Sequence, residues 1–270
     1  MEHPITKAIQ QGTPFFIGRI AGIELQLAYD VHHGTLQNIV SSQAELENNA
    51  GIHLKNPASL STYCNQLVAA YDHCTHIAEW SGKVYELTGT SQDWMAQRTP
   101  QIPKMNAMEL EPYYKESWMP ALKGKRILII HPFAETFQKQ VPKLPLLFPN
   151  RSWFEECTFQ FAKPPLTMAG NHGDKDWQEH LRAFLPTLPR MFDVALVAAG
   201  GYGMLISDYL YQQGKSVMYI GGALQLFFGV IGKRWFTNPT IMKLVNDEWV
   251  RPDRSEQPRN YTKVEKGCYW

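Results

Sequence analysis

The chain has 270 residues, of which 44% are apolar and 19% are charged, so it can form a full hydrophobic core in one large domain or two modest ones. Its 26 Lys and Arg residues are balanced by 25 Asp and Glu residues. The chain therefore lacks the basic surface that binds phosphate backbones, and nucleic acid is not an expected partner.

The N-terminal segment shows no sign of an export signal. It lacks a basic start followed by an apolar stretch, and no later run has the length of apolar sequence that crosses a bilayer. The four cysteines are far apart and have no spacing typical of a zinc site. We therefore expect a soluble cytoplasmic protein with reduced thiols and no transmembrane segment.

The first predicted element is a short apolar strand that ends at Gly18 and Arg19. A turn of small residues follows, and a helix begins near Glu24, so Arg19 and Glu24 are expected to meet at a strand-to-helix corner. An arginine there can bind a diphosphate through two nitrogens. A carboxylate can position a sugar hydroxyl, act as a general base or hold a divalent cation. The alternative is a structural ion pair between the two side chains.

The region before residue 115 has mostly helical spacing, with a few short strands. In one predicted helix, Leu60, Cys64 and Leu67 recur on one face. Trp80 directly follows Glu79 at an apparent strand end. Sugar rings stack on aromatic side chains, so Trp80 is our candidate for binding an acceptor, although most tryptophans are core anchors.

From about residue 123, buried strands, glycine turns and helices alternate. Apolar strands are predicted at residues 127–130, within 192–203 and within 215–222. This alternation is typical of a parallel sheet with crossover helices. We therefore predict an α/β fold, a Rossmann-like parallel sheet with flanking helices and a more helical N-terminal half. Residues 1–122 would carry the Arg19 and Glu24 corner and residues 123–270 the nucleotide-binding part, either as two parts or as one compact unit.

Three strand ends give further site candidates, because open parallel sheets bind ligands beyond the carboxyl ends of their strands. His131 follows the first strand, and Glu135 lies in the opening turn of the next helix, where it can also simply complement the helix dipole. Glycine turns follow the other two strands and let the backbone approach a phosphate, although tight turns need glycine without any ligand. The candidates at these turns are Gly200, Gly201, Tyr202, Gly203, Gly221, Gly222 and Gln225.

A basic pair, Lys233 and Arg234, follows the last glycine turn and precedes Trp235. Such a pair can form charge-assisted hydrogen bonds to phosphate, and the indole offers a flat surface to a base or a sugar ring. The alternative is a solvated pair of charges beside a tryptophan that belongs to the core.

The run at residues 18–24, GRIAGIE, resembles the strand-to-helix corner of GT-D-type glycosyltransferases. Residues 124–140, 192–235 and 263–270 resemble a related group of polysaccharide-biosynthesis proteins. The resemblance covers residues 15–30 and most of 123–270. It implies a Rossmann-like hexosyl- or deoxyhexosyltransferase that moves a sugar from a nucleotide diphosphate donor to a growing glycan.

The chain departs from this family pattern at one position. Where metal-using members carry an Asp two residues before the Glu, this chain has Gly22. The resemblance therefore leaves Mn²⁺ or Mg²⁺ in doubt, with Glu24 as the expected ligand if a metal binds. It shifts stabilisation of the departing diphosphate to Arg19, to the pair Lys233 and Arg234, and to the backbone amides of the glycine turns.

Three residues are candidates for the base that deprotonates the acceptor hydroxyl: Glu24, His131 and Glu135. Two other classes of protein remain open, a different nucleotide-sugar enzyme such as a hydrolase or an epimerase, and a non-catalytic carbohydrate-binding or assembly protein. A homo-oligomer is also open, because the apolar run at residues 226–230 fits either a partner surface or a buried helix.

Overall fold

The computed structural model describes residues 2–114 and 118–270, and these residues build one parallel sheet of seven strands. The strands are β1 Phe16–Arg19, β2 His76–Glu79, β3 Lys104–Asn106, β4 Arg126–Ile130, β5 Thr158–Ala162, β6 Val194–Val197 and β7 Ser216–Tyr219. Their order in the sheet is β3-β2-β1-β7-β6-β4-β5. The predicted Rossmann-like α/β fold is confirmed.

Ten α-helices are described around the sheet: α1 Pro4–Gln10, α2 Gly22–His33, α3 Leu36–Glu45, α4 Pro57–Asp72, α5 Gly82–Arg98, α6 Ala134–Gln140, α7 Leu144–Leu147, α8 Trp177–Phe184, α9 Gly203–Gln212 and α10 Pro239–Met242. A π-helix at Leu46–Ala50 and several 3₁₀ segments, including Gly221–Phe228, join them. The helix predicted from Leu60 and Cys64 is α4, and α2 starts at the predicted corner.

The two parts of the chain share the sheet. Strand β1 pairs with β2 on one side, where Ile17 faces His76, and with β7 on the other, where Phe16 faces Val217. The N-terminal part therefore contributes three strands and the C-terminal part four to one continuous sheet.

Helices cover both faces of the sheet, which explains why the central strands β4 and β6 are almost wholly apolar. In β6, Val194 and Leu196 belong to the core on one face, while Ala195 and Val197 belong to the core on the other. The first core includes residues of α1, α6, α7 and α10, and the second includes residues of α2, α4, α5, α8 and α9.

The direction of winding reverses between β4 and β6, which are hydrogen-bonded neighbours. After β4 the chain passes through α6 and α7 to β5 at the sheet edge, whereas after β6 it passes through α9, on the opposite face, to β7. In open α/β sheets, the crevice at such a reversal is the usual place for a ligand.

The apolar run at residues 226–230 is buried. Leu226, Phe227 and Phe228 are fully buried in the 3₁₀ segment Gly221–Phe228, so the buried helix accounts for this apolar run. All four cysteines are free. Within the described ranges, no helix combines the length and the apolar character that a membrane span requires.

Candidate functional site

A cavity of about 420 Å³ lies at the carboxyl ends of the strands. Five strands deliver residues to its wall at or just after their last residue: Arg19 from β1, Trp80 from β2, His131 from β4, Ala198 from β6 and Tyr219 from β7. The cavity includes the reversal between β4 and β6, where a ligand crevice is expected.

Nine of the residues proposed from the sequence line this cavity. They are Arg19, Glu24, Trp80, His131, Gly200, Gly221, Gly222, Gln225 and Arg234. The other five, Glu135, Gly201, Tyr202, Gly203 and Lys233, do not line it. The sequence positions span more than two hundred residues, so the fold brings together side chains whose proximity no local pattern reveals.

Glu135 lies on the surface, in the first turn of α6, and its carboxylate is 3.2 Å from Nζ of Lys163. The backbone N–H groups of residues 135 and 136 donate to Glu256, whose carboxylate is buried and occupies the helix N-terminus. Lys233 is exposed to solvent. Neither side chain is placed to touch a ligand in the cavity.

The glycine turn after β6 is explained mainly by packing. A Cβ atom at Gly200 would lie 2.7 Å from the carbonyl oxygen of Ala50, and at Gly201 and Gly203 it would overlap Ile52 and Tyr219. Gly200 also has a positive φ of 51°, which disfavours other residues. Of the four candidate turn residues only Gly200 lines the cavity, and packing accounts for the glycines at positions 201 and 203.

Arg19 is held by the protein rather than by Glu24. Its side chain is buried, and one guanidinium nitrogen donates to Glu111 at 2.8 Å while the other donates to the carbonyl oxygen of Ile220. The guanidinium also lies over the ring of Trp80, 4.2 Å from its centroid. The structural partner of Arg19 is therefore Glu111, which the sequence analysis did not single out.

Glu24 lies in the first turn of α2 and borders the cavity, where only 8% of the residue is exposed. Burial raises the pKa of its carboxyl group to about 7, and the negative charge of Glu265 contributes to the increase. A carboxyl with this pKa is poised to exchange a proton near neutral pH.

The corner that carries Glu24 is fixed by Tyr71 of α4. The Tyr71 hydroxyl accepts a hydrogen bond from the N–H of Ala21 at 2.9 Å and donates one to the carbonyl oxygen of Arg19 at 3.1 Å. Ala21 has no side chain that can cap α2. The tyrosine hydroxyl therefore holds the turn between β1 and α2.

Gly22 is set by a close approach of α5. A Cβ atom there would lie 2.8 Å from Cγ2 of Thr88, so an aspartate would require that contact to open. Within the described residues, no set of three metal-ligating side chains includes Glu24. Gly22 supplies no ligand atom at this corner, so a divalent ion bound there would have Glu24 as its carboxylate.

His131 is buried in the cavity wall and stays uncharged. Its Nδ1 accepts the backbone N–H of Phe133 at 2.9 Å, which places the ring proton on Nε2. Burial lowers the pKa of the imidazole to about 3. Because Nδ1 is already occupied and Nε2 carries the proton, this ring can donate a hydrogen bond but is poorly suited to accept a proton.

The C-terminal segment forms one wall of the cavity, which the sequence analysis did not anticipate. Glu265, Tyr269 and Trp270 line it. Arg234 donates to the Tyr269 hydroxyl at 2.7 Å and to Glu265 at 3.3 Å. Gly222 permits this packing, because a Cβ atom there would lie 2.6 Å from the Tyr269 ring. The sequence feature that could have indicated this wall is the presence of one acid and two aromatic residues, Glu265, Tyr269 and Trp270, within residues 263–270.

Three buried polar atoms of the lining residues have no hydrogen-bond partner within the described protein: Nε of Arg19, Oε1 of Gln225 and Nε1 of Trp270. Gln225 uses only its amide nitrogen, which donates to the carbonyl oxygens of Val230 and Tyr269. Unsatisfied buried groups are rare in folded proteins. All three atoms are closed off from solvent, and therefore from the open space of the cavity, so they are unpaired groups inside its wall.

No family model, no curated protein and no solved structure matches this chain.

Proposed function

We propose that the protein is a cytoplasmic glycosyltransferase that uses a nucleotide diphosphate sugar as donor and a glycan as acceptor. The observation that carries the proposal is the convergence of Arg19, Glu24 and Arg234, with the Gly221–Gly222 turn, on one cavity at the carboxyl ends of a parallel sheet. This transfer uses cations, a carboxyl that exchanges a proton, and a backbone that a ligand can approach closely.

The diphosphate is assigned to the side of the cavity that contains Arg234. About half of this side chain is exposed, so it can reach an incoming phosphate, and its partners Glu265 and Tyr269 can release it. Gly221 has a positive φ of 72° and lines the cavity, and a Cβ atom there would lie 3.4 Å from Nη1 of Arg19. Charge-assisted hydrogen bonds from the arginines would offset the charge that develops on the departing diphosphate.

Glu24 is the proposed base. Of the three candidates from the sequence, Glu135 lies outside the cavity, and His131 has a strongly lowered pKa with its free proton already on Nε2. Glu24 would take the proton of the acceptor hydroxyl as the hydroxyl oxygen bonds to the anomeric carbon. The bond from that carbon to the diphosphate breaks, and the diphosphate leaves with the electron pair. No metal takes part in this scheme.

The test is release of nucleoside diphosphate from a panel of nucleotide sugars, with and without a mixture of saccharide acceptors, by the wild-type protein and by Glu24→Gln. We expect one donor to be consumed only when acceptor is present, with activity retained in EDTA and lost in Glu24→Gln. Consumption without acceptor would favour a hydrolase or an epimerase. If no donor is consumed and no nucleoside diphosphate binds, the protein is not this transferase.

A further inference from the structure

A second cluster of functional side chains lies away from the cavity. It consists of Glu47 in the π-helix Leu46–Ala50, His53 in the segment that follows, and His172 just after the 3₁₀ turn Met168–Gly170. None of the three lines the cavity. It is the one set of three potential metal ligands found within residues 2–114 and 118–270.

The two imidazoles share the carboxylate of Glu47. Nδ1 of His53 is 3.2 Å from Oε2, and Nε2 of His172 is 3.4 Å from Oε1. The rings stack with their centroids 3.7 Å apart and their planes 8° apart. The side chains are only 21% and 12% exposed for the histidines and 40% for the glutamate.

We propose that Glu47, His53 and His172 bind a divalent transition metal ion of the zinc class. All their ligand atoms lie within 4.8 Å of one another. In a tetrahedral site with bonds of about 2.0–2.2 Å, neighbouring ligand atoms are about 3.3–3.6 Å apart. The atoms of this cluster therefore need to approach one another by no more than about 1.5 Å. Two imidazoles and one carboxylate suit zinc, whereas magnesium and calcium prefer oxygen ligands alone.

Binding requires a rearrangement of ring protons. The backbone N–H of Asp174 donates to Nδ1 of His172 at 3.1 Å, so the free ring carries its proton on Nε2. Coordination through Nε2 moves that proton to Nδ1 and releases the Asp174 hydrogen bond. Nδ1 of His53, which lies 3.2 Å from Oε2 of Glu47, must likewise be free of a proton to bind an ion. The rings also rotate out of their stack, because parallel lone pairs do not converge on one ion.

The site joins two segments that border the cavity. Residues Asn49 and Ala50, in the same π-helix as Glu47, line the cavity, and Met168 lines it from the segment that leads to His172. Thr167 already ties these segments together through a hydrogen bond to the carbonyl oxygen of Gly51. A bound ion would add a second link and raise the thermal stability of the protein, since a ligand that binds only the folded state stabilises it.

The test is isothermal titration of the chelator-treated full-length protein with Zn²⁺, and separately with Mg²⁺. We expect one Zn²⁺ per chain and no binding of Mg²⁺. Glu47→Gln, His53→Gln and His172→Gln should each weaken Zn²⁺ binding by about ten-fold or more. The control is His33→Gln, which changes an exposed histidine at the end of α2, beside His32 and outside the cluster. That variant should bind as the wild type does.

Two readouts separate a lost site from a lost fold. Each variant should show the same cooperative melting transition as the wild type when metal is absent, and only the wild type and His33→Gln should melt at a higher temperature when Zn²⁺ is added. The absence of Zn²⁺ binding to the wild type, or binding that survives in all three cluster variants, would overturn the proposal. Loss of activity is not required, so this test is independent of the proposed transferase function.

Discussion

Removing Glu111 would leave the guanidinium of Arg19 buried without its charged partner. The two side chains are 8% and 9% exposed and their atoms are 2.8 Å apart. Loss of one partner from a buried ion pair costs about 3–5 kcal/mol. Arg19 keeps its hydrogen bond to Ile220 and its contact with Trp80, and the cavity lets solvent reach it. We therefore expect Glu111→Ala to lower the free energy of unfolding by about 3 kcal/mol.

The assay is urea denaturation near neutral pH, followed by tryptophan fluorescence, with Glu155→Ala as the matched control. Glu155 pairs with Lys123 at 2.9 Å, nearly the same distance, but both side chains are about half exposed. The control should unfold at the same urea concentration as the wild type, because exposed pairs contribute little. Equal losses in the two variants would refute the reasoning that burial makes the Arg19 pair important.

Three further predictions concern the site and its surroundings. The folded pKa of Glu24 is about 7, against 4.5 for the ordinary group, so its contribution to stability is complete below pH 4.5 and is lost as the pH rises through 7. The free energy of unfolding of Glu24→Gln, relative to that of the wild type, should therefore rise by about 3 kcal/mol between about pH 4 and pH 8 in urea titrations. An unchanged difference would contradict the raised pKa. His131 should not titrate between about pH 5 and pH 8 by NMR, because burial lowers its pKa to about 3; a midpoint in that range would show that the ring is accessible to solvent. Gly203→Ala should lower the free energy of unfolding in urea by about 1–3 kcal/mol, because its Cβ would overlap Tyr219. Gly89→Ala, inside α5 and beside the exposed ring of Tyr85, should raise it by up to about 1 kcal/mol. Losses of the same size in both variants would contradict this difference in packing.

The local features of the fold could be predicted from the sequence. The apolar run at residues 127–130, the corner between Arg19 and Glu24, and helix α4 each depend on neighbouring residues, and each forms as expected. The three-residue strand β3 is too short to produce a recognisable pattern. It forms because its backbone pairs with β2, and this pairing is a property of the assembled sheet.

The site could be predicted only in part, for the same reason. The ends of parallel strands are recognisable from sequence, so residues such as His131 and Gly221 could be placed at the crevice. The partner of Arg19 lies 92 positions away at Glu111, and the partner of Arg234 lies 31 positions away at Glu265. No spacing rule covers such pairs, because they depend on how the C-terminal segment and the turn after β3 pack over the sheet.

The adjacent residues Lys233 and Arg234 allow the most direct test of the proposed nucleotide site. Arg234 lines the cavity and Lys233 does not, although both are basic and exposed to solvent. Wild type, Arg234→Met and Lys233→Met would be titrated calorimetrically with UDP, GDP, TDP and CMP. The proposal predicts that one nucleoside diphosphate binds the wild type and Lys233→Met equally, and binds Arg234→Met about ten-fold or more weakly. Absence of binding by all four nucleotides, or equal binding by the two variants, would contradict it.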